Sequence, residues 1–196
     1  NMKNFASRYN FKIKEFFEFV RHMGDDLNDR KSRFDKADLL EQALSRATGK
    51  QLEWVDRIGY DLIDSITGEK YEVKSQKGCL YTGKKLKKAS TSKIKLKNTL
   101  QRGLEKKIEA IADWLIIIDT KNYSMGIIDY KTVVDFYTTE LPDGFECQIP
   151  TKKLFFIQEI IALNESTFDV PSYRDLKSTL QAQYINNFFK ETENEI

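Results

Sequence analysis

Gly59-Tyr60-Asp61-Leu62-Ile63-Asp64, then Ser65-Ile66-Thr67-Gly68, then Glu69-Lys70-Tyr71-Glu72-Val73-Lys74-Ser75-Gln76: this run decides the fold. Its two outer segments alternate polar with apolar residues, which is the pattern of strands buried on one face. The middle four residues have turn composition, so the run predicts a β-hairpin. With a four-residue turn, Asp64 stands opposite Glu69, Leu62 opposite Tyr71 and Asp61 opposite Glu72. Tyr60, Leu62, Tyr71 and Val73 then share the core face. Asp61, Glu72, Lys74 and Gln76 share the other. Asp64 is the rival to Asp61 for any role at this site, but it alternates onto the opposite face beside the turn.

Two carboxylates placed directly across a strand pair repel each other. A chain shaped by folding alone avoids that arrangement, and a divalent cation between them removes the repulsion. Mg²⁺ suits the pattern because it binds through one or two carboxylates, keeps several waters and takes further oxygens from a substrate phosphate. Lys74 points the same way as Glu72 and can hold a phosphate oxygen or a water. The chemistry this implies is hydrolysis of a phosphodiester, with Mg²⁺ as cofactor, one or two ions per site.

Charge supports a polyanionic partner. Between Lys70 and Lys107 there are thirteen basic residues against Glu72 and Glu105, a surplus of eleven in a chain whose net charge is only +2. Such a block is the electrostatic footprint of nucleic-acid binding, and it begins on the hairpin itself. Lys77 follows Gln76 where the second strand could continue through Tyr81, and Lys84, Lys85, Lys87 and Lys88 lie in a Lys- and Ser-rich loop over 83–92. Lys93, Lys95 and Lys97 alternate along an expected exposed strand and would follow a phosphate backbone. Asn98, Gln101 and Arg102 come next, residue types suited to adenine and guanine edges in the major groove. The bland readings are a solubilising loop and a polar loop before a helix.

Outward from the hairpin, residues 10–23 predict a helix with Ile13, Phe16, Phe17 and Val20 on one side. A second helix is expected from an N-cap at Asp35 to Thr48, closed by Gly49, with Leu40, Ala43, Leu44 and Ala47 as its apolar stripe. Glu41 stands at the edge of that stripe and reads, unaided, as a solvated carboxylate. Residues 52–55 predict a strand leading into the hairpin, and 103–112 a helix. Trp114-Leu115-Ile116-Ile117-Ile118 is a continuous apolar run, expected as a central strand covered on both faces. A neighbouring strand at 123–128 and a short helix at 130–137 should follow. Strands at 145–149 and 153–158 could form a hairpin across Pro150. A last helix from 172 carries Tyr173, Leu176, Leu180, Tyr184 and Phe188 on one stripe. The fold class is therefore α/β or α+β: one mixed central sheet flanked by helices.

At 196 residues the chain reads as a single domain, 1–196. Cys79 and Cys147 are too few for a disulfide framework and lack metal-site spacing. With no signal-peptide pattern and no apolar run near the ~20 residues of a membrane span, the expectation is a cytoplasmic protein with no membrane partner. His22 lies far from every motif, so no histidine is at hand to activate a serine or cysteine near the hairpin. No Walker-type loop is present.

An acid, any residue, then Lys is a weak signal alone: Asp29 to Lys31, Glu105 to Lys107, Asp119 to Lys121, Asp129 to Lys131 and Asp175 to Lys177 also match. Glu72 to Lys74 differs by context, in an alternating strand with an Asp in register before it. Gly59-Tyr60-Asp61 followed by Tyr71-Glu72-Val73-Lys74-Ser75 resembles the PD-(D/E)xK nuclease superfamily. That superfamily includes most type II restriction endonucleases and archaeal-type Holliday junction resolvases. The resemblance runs from Asp35 to Gln76, and the helix and central strand at 103–118 agree with it loosely. It implies a restriction-endonuclease-like fold, with Asp61 and Glu72 as metal-binding carboxylates and Lys74 as the catalytic lysine. Glu41 matches an acidic residue that many members place on a preceding helix near the metal. Gln76 matches a polar position seen after the lysine in some members. The proline of the motif's name is replaced by Tyr60. The implied activity is Mg²⁺-dependent cleavage of double-stranded DNA by a homodimer, as in a type II restriction enzyme. A junction resolvase and a non-enzymatic DNA-binding module remain as alternatives.

Overall fold

A computed structural model describes residues 4–23, 33–57, 60–76, 93–95, 112–130, 148–150 and 157–163. Three helices come first: α1 (Phe5–Arg8), α2 (Ile13–Met23) and α3 (Arg33–Ala47). Strands β1 (Leu52–Arg57), β2 (Tyr60–Asp64) and β3 (Lys70–Gln76) follow. The remaining strands are β4 (Lys93–Lys95), β5 (Trp114–Asp119), β6 (Ser124–Asp129), β7 (Gln148–Pro150) and β8 (Ile157–Ala162). Among the described residues no helix is long and apolar enough to cross a membrane.

Six strands form one mixed sheet in the order β1-β2-β3-β5-β6-β8. Every neighbouring pair is antiparallel except β3 and β5, which run parallel with Glu72 beside Leu115 and Lys74 beside Ile117. A parallel neighbour needs a crossover of a dozen or more residues, and residues 77–113 supply it. The hairpin expected from the sequence is therefore an inner part of the sheet, with β3 next to its most apolar strand. Leu115 to Asp119 are all buried, as the continuous apolar run of β5 requires.

One sheet face carries the main core. Leu62, Tyr71, Val73, Ile116, Ile118, Met125, Ile127 and Ile161 pack there with side chains from α1, α2 and α3. The stripe of Leu40, Ala43, Leu44 and Ala47 is buried as its spacing predicts, and Phe16, Phe17 and Val20 of α2 are fully enclosed. The Phe16 ring meets Phe11 at a tilt and Phe17 edge-to-face, with centroids 5.5 and 5.2 Å apart. His22 also lies in this interior, fully buried at the end of α2. Tyr60, expected with the core group, is half-buried, with the Lys70 ammonium 5.2 Å from its ring centre.

Three expectations need correcting, and one short helix was missed. The helix expected over 10–23 starts later: Asn10 has φ 47°, and α2 begins at Ile13. The short α1 went unread because four residues carry too little periodicity to register. It is held by the edge strand β8, whose Glu159 carboxylate accepts the Phe5 N–H at 2.6 Å and the Ala6 N–H at 3.3 Å. Helix α3 begins at Arg33, so Asp35 lies inside its first turn rather than at its cap; Gly49 does end it, at φ 64°. Finally, β7 and β8 do not form a hairpin across Pro150. Strand β7 pairs with β4 in a separate two-stranded sheet, and β8 pairs with β6. The expected helices at 103–112, 130–137 and from 172 lie outside the described residues, almost entirely so in the first two cases.

Candidate active site

The turn after β2 closes as a four-residue loop. Asp64 N–H bonds to Glu69 C=O at 2.8 Å, and Leu62 pairs with Tyr71 and Ile63 with Lys70. That is the register under which Asp61 comes level with Glu72. The regular ladder ends one step before them. A continuing ladder would send the Val73 N–H to the Tyr60 carbonyl. Here the Asp61 carboxylate takes it instead, Oδ2 accepting at 2.8 Å. A side chain has replaced a backbone acceptor, and the two strands stop pairing where the two acids face each other.

On β3, Glu72 is 7 % exposed, and the Lys74 Nζ stands 3.1 Å from its Oε1. Alternation puts the two on one face, so this ion pair is a product of the strand itself. Glu41 reaches the same neighbourhood from α3. The stripe that buries Leu40 and Leu44 leaves Glu41 half-buried at its edge, where its Oε2 accepts the Trp54 indole N–H at 2.9 Å.

Electrostatics join the four groups. Burial pushes the Asp61 carboxyl up to about 8; the charges of Glu72 and Glu41 push the same way, while the Val73 N–H and Lys74 oppose them. Glu41 is raised to about 7, first by burial, against the Trp54 hydrogen bond, with Asp38 and Glu72 adding to the rise and Lys74 opposing it. Three acids thus crowd one another beside one lysine. Such perturbation by burial plus specific charge partners is typical of functional sites. A divalent ion would relieve the repulsion between partly dehydrated carboxylates of this kind. As the side chains stand, no three His, Cys, Asp or Glu groups among the described residues close around a single metal position.

Asp64, three positions along the same strand, has the opposite environment. It is 1 % exposed and accepts hydrogen bonds from Tyr9 Oη at 2.7 Å, Ile66 N–H at 2.8 Å and Thr67 N–H at 3.1 Å. Burial would raise its pKa, but these donors and Gln51 together hold it below the usual carboxylate range. Tyr9 also shares a hydrogen bond with Tyr71 at 2.7 Å. Arg8 bridges Asp64 and Glu69, and Glu69 in turn accepts the Trp114 indole N–H at 2.6 Å. Asp64 is accordingly the anchor of the turn, and Asp61 the acid left among like charges.

Lys74 is thus in contact with Glu72, and Glu41 and Asp61 lie within reach of their charges. The backbone of Gln76 continues β3 beside Asp119 of β5; its side chain lies outside the described residues. Lys93 and Lys95 lie on β4, opposite Pro150 and Gln148. Lys77, Lys84, Lys85, Lys87, Lys88, Lys97, Asn98, Gln101 and Arg102 lie outside the described residues. Two participants were missed from sequence: Trp54, whose indole N–H needed a partner that no spacing identifies, and the Arg8-Tyr9 pair that locks the turn. Comparison with known proteins returns no matching family model, no matching curated protein and no matching solved structure.

Proposed function

We propose that this chain is a Mg²⁺-dependent endonuclease of double-stranded DNA, of the type II restriction kind, acting as a cytoplasmic homodimer. One observation carries the reading. At the point where the β2–β3 ladder opens, the Asp61 carboxylate takes the Val73 N–H, the charges of Glu72 and Glu41 reach it, and Lys74 touches Glu72. The element order lends support: a helix, an antiparallel three-strand meander, then a strand parallel to β3 after a long crossover. That is the arrangement expected of a restriction-endonuclease-like core.

Asp61 and Glu72, with Glu41 beside them, would hold the cation, substrate phosphate and water completing its oxygens. When bound it supplies Lewis-acid charge to the phosphate and lowers the pKa of a water. Lys74 orients the attacking water and adds positive charge where the transition state gains negative charge. The Glu72 carboxylate keeps that ammonium in place at 3.1 Å. Lysines from Lys77 to Lys97 hold backbone phosphates, and Asn98, Gln101 and Arg102 read base edges. A palindromic target requires a two-fold dimer, each subunit cutting one strand.

The test is incubation of the purified protein with plasmid DNA and Mg²⁺. Discrete fragments are expected, and EDTA should abolish them. Cleavage confined to branched junctions would replace the restriction reading by a structure-specific nuclease. DNA binding without any cleavage would end the enzymatic reading.

A further inference from the structure

The two edges of the six-stranded sheet differ in composition. At one end, β1 carries Glu53, Asp56 and Arg57 and loses its regular register between Trp54 and Arg57. Charges and irregularities of this kind blunt an edge against pairing with another chain. At the other end, β8 reads Ile157-Gln158-Glu159-Ile160-Ile161-Ala162. Its one charge, Glu159, is engaged by α1, where it accepts the Phe5 and Ala6 N–H groups. Its register shift lies at the Ile157 end. Alternation divides the rest of the strand: Ile161 is buried, whereas Ile160 is 47 % exposed and Ala162 is exposed. The backbone follows the same division. The Leu163 N–H bonds to the Tyr123 carbonyl at 3.1 Å, so in this register Ile161 and Glu159 bond inward to β6. Ile160 and Ala162 then turn their N–H and C=O groups outward, and no described strand pairs with them there.

We propose that the outer edge of β8 is the contact between two copies of this chain, joined antiparallel about a two-fold axis at Ile160 so that one sheet runs through both subunits. The choice of a second copy rests on the nuclease reading, which needs a two-fold pair, and on the fit of the strand to itself. A two-fold contact sets one surface against its own copy. With the axis at Ile160, Ile160 meets Ile160 of the second copy, Ala162 meets Gln158 and Glu159 meets Ile161. No like charges are opposed. Moving the axis to Glu159 would set two carboxylates against each other, which is destabilising. The register centred on Ile160 also covers the exposed isoleucine, and the outward N–H and C=O groups supply main-chain hydrogen bonds as in other strand additions.

The experiment is sedimentation velocity of the full chain across micromolar concentrations, for the parent, Ile160→Lys, Ile160→Glu and an equimolar mixture of the two variants. The parent should be a dimer. Each variant alone should self-associate at least about tenfold more weakly, because like charges meet at the axis, and the mixture should recover association. A monomeric parent overturns the inference. So does a dimer that either variant leaves intact, or a mixture that stays monomeric. Should these variants fail to fold, Ile160→Cys in a Cys79→Ser, Cys147→Ser background takes their place. Thiols directly opposed across a strand pair are within reach of a short bismaleimide, so the reagent should link two chains. Ile66→Cys in the same background, at a position 78 % exposed on the β2–β3 turn, should not link. No link through Ile160→Cys, or equal linkage through Ile66→Cys, overturns the inference. Plasmid cleavage by the parent is scored separately. Cutting by a protein whose association ignores Ile160 removes this face and leaves the nuclease reading standing; a dimer that depends on Ile160 and never cuts upholds this face and ends the nuclease reading.

Discussion

Replacing Asp61 by Asn should stabilise the metal-free protein, and by an amount that grows with pH. Asn keeps an acceptor for the Val73 N–H and discards the charge. In the native protein burial and the charges of Glu72 and Glu41 push the Asp61 carboxyl up to about 8; in an unfolded chain it ionises near 3.9. Between those values the unfolded chain has released a proton that the native chain retains, so native stability falls as pH rises from about 4 to about 8. A displacement of about four pH units at about 1.4 kcal/mol each sets a ceiling of roughly 5–6 kcal/mol. Part of that belongs to repulsion shared with Glu41 and Glu72, which acid removes from all three together. About half, roughly 2–3 kcal/mol, is the gain expected from Asp61→Asn at pH 8, or about 5–10 °C in Tm for a chain of this size. The assay is thermal unfolding of parent and variant in EDTA from pH 4 to pH 9. The curves should coincide at pH 4, separate through neutrality and run parallel above pH 8. Millimolar Mg²⁺ should raise the parent and leave the variant unmoved, narrowing the gap. A variant less stable than the parent at pH 8, or a gap that ignores pH, would refute the claim that Asp61 sits among like charges.

Asp64→Ala should have the opposite sign, costing about 3–4 kcal/mol in urea unfolding, because it strips a buried carboxylate from Tyr9, the turn amides and Arg8. Since Asp64 and Glu69 are both held below the usual carboxylate range, their contribution is complete above about pH 5 and lost as pH falls through their native values; a Tm that does not drop in acid would contradict it. Lys74→Ala and Glu72→Ala should each remove cleavage by at least about 100-fold with DNA affinity kept, measured by plasmid cutting alongside gel-shift binding. Replacing Lys84, Lys85, Lys87 and Lys88 together by Ala should lower the slope of log affinity against log salt by about 3–4 if all four hold phosphates, and an unchanged slope removes that loop from the interface.

The hairpin was legible because its period, turn length and strand ends all agree. Alternation fixed which residues face the core, and four turn residues fixed the register that sets Leu62 against Tyr71. The stripe of α3 was legible because burial on one side writes a period into sequence, and β5 because burial on both faces writes an unbroken apolar run. What the pattern could not carry was partner choice among polar groups. Nothing in the spacing says that the Val73 N–H would go to a carboxylate, that Trp54 would find Glu41, or that Tyr9, just past a four-residue helix, would reach Asp64 across more than fifty positions. Strand order beyond β6 was also unreadable. Residues 148–150 and 157–162 both suit a strand, and which partner each takes depends on what the sheet already exposes.

Two aspartates on one five-residue strand show how local chemistry divides structure from function. Asp64 meets donors: a phenol, two turn amides, an amide side chain and a guanidinium. Its charge is welcome, and it secures the turn. Asp61 meets one backbone amide and two other carboxylates, so its charge is strained. The pair are linked by geometry, since the donors around Asp64 fix the turn length, and the turn length alone decides whether Asp61 comes level with Glu72. A turn one residue longer would send Asp61 to a different partner and Glu72 to a different neighbour. The stabilising network of Arg8, Tyr9, Asp64 and Glu69 is thus what allows an unfavourable group to persist three residues along the strand. Environments that drive two like groups apart in pKa also divide their roles: the depressed aspartate holds the fold, and the raised one is the group that the proposed cation would relieve.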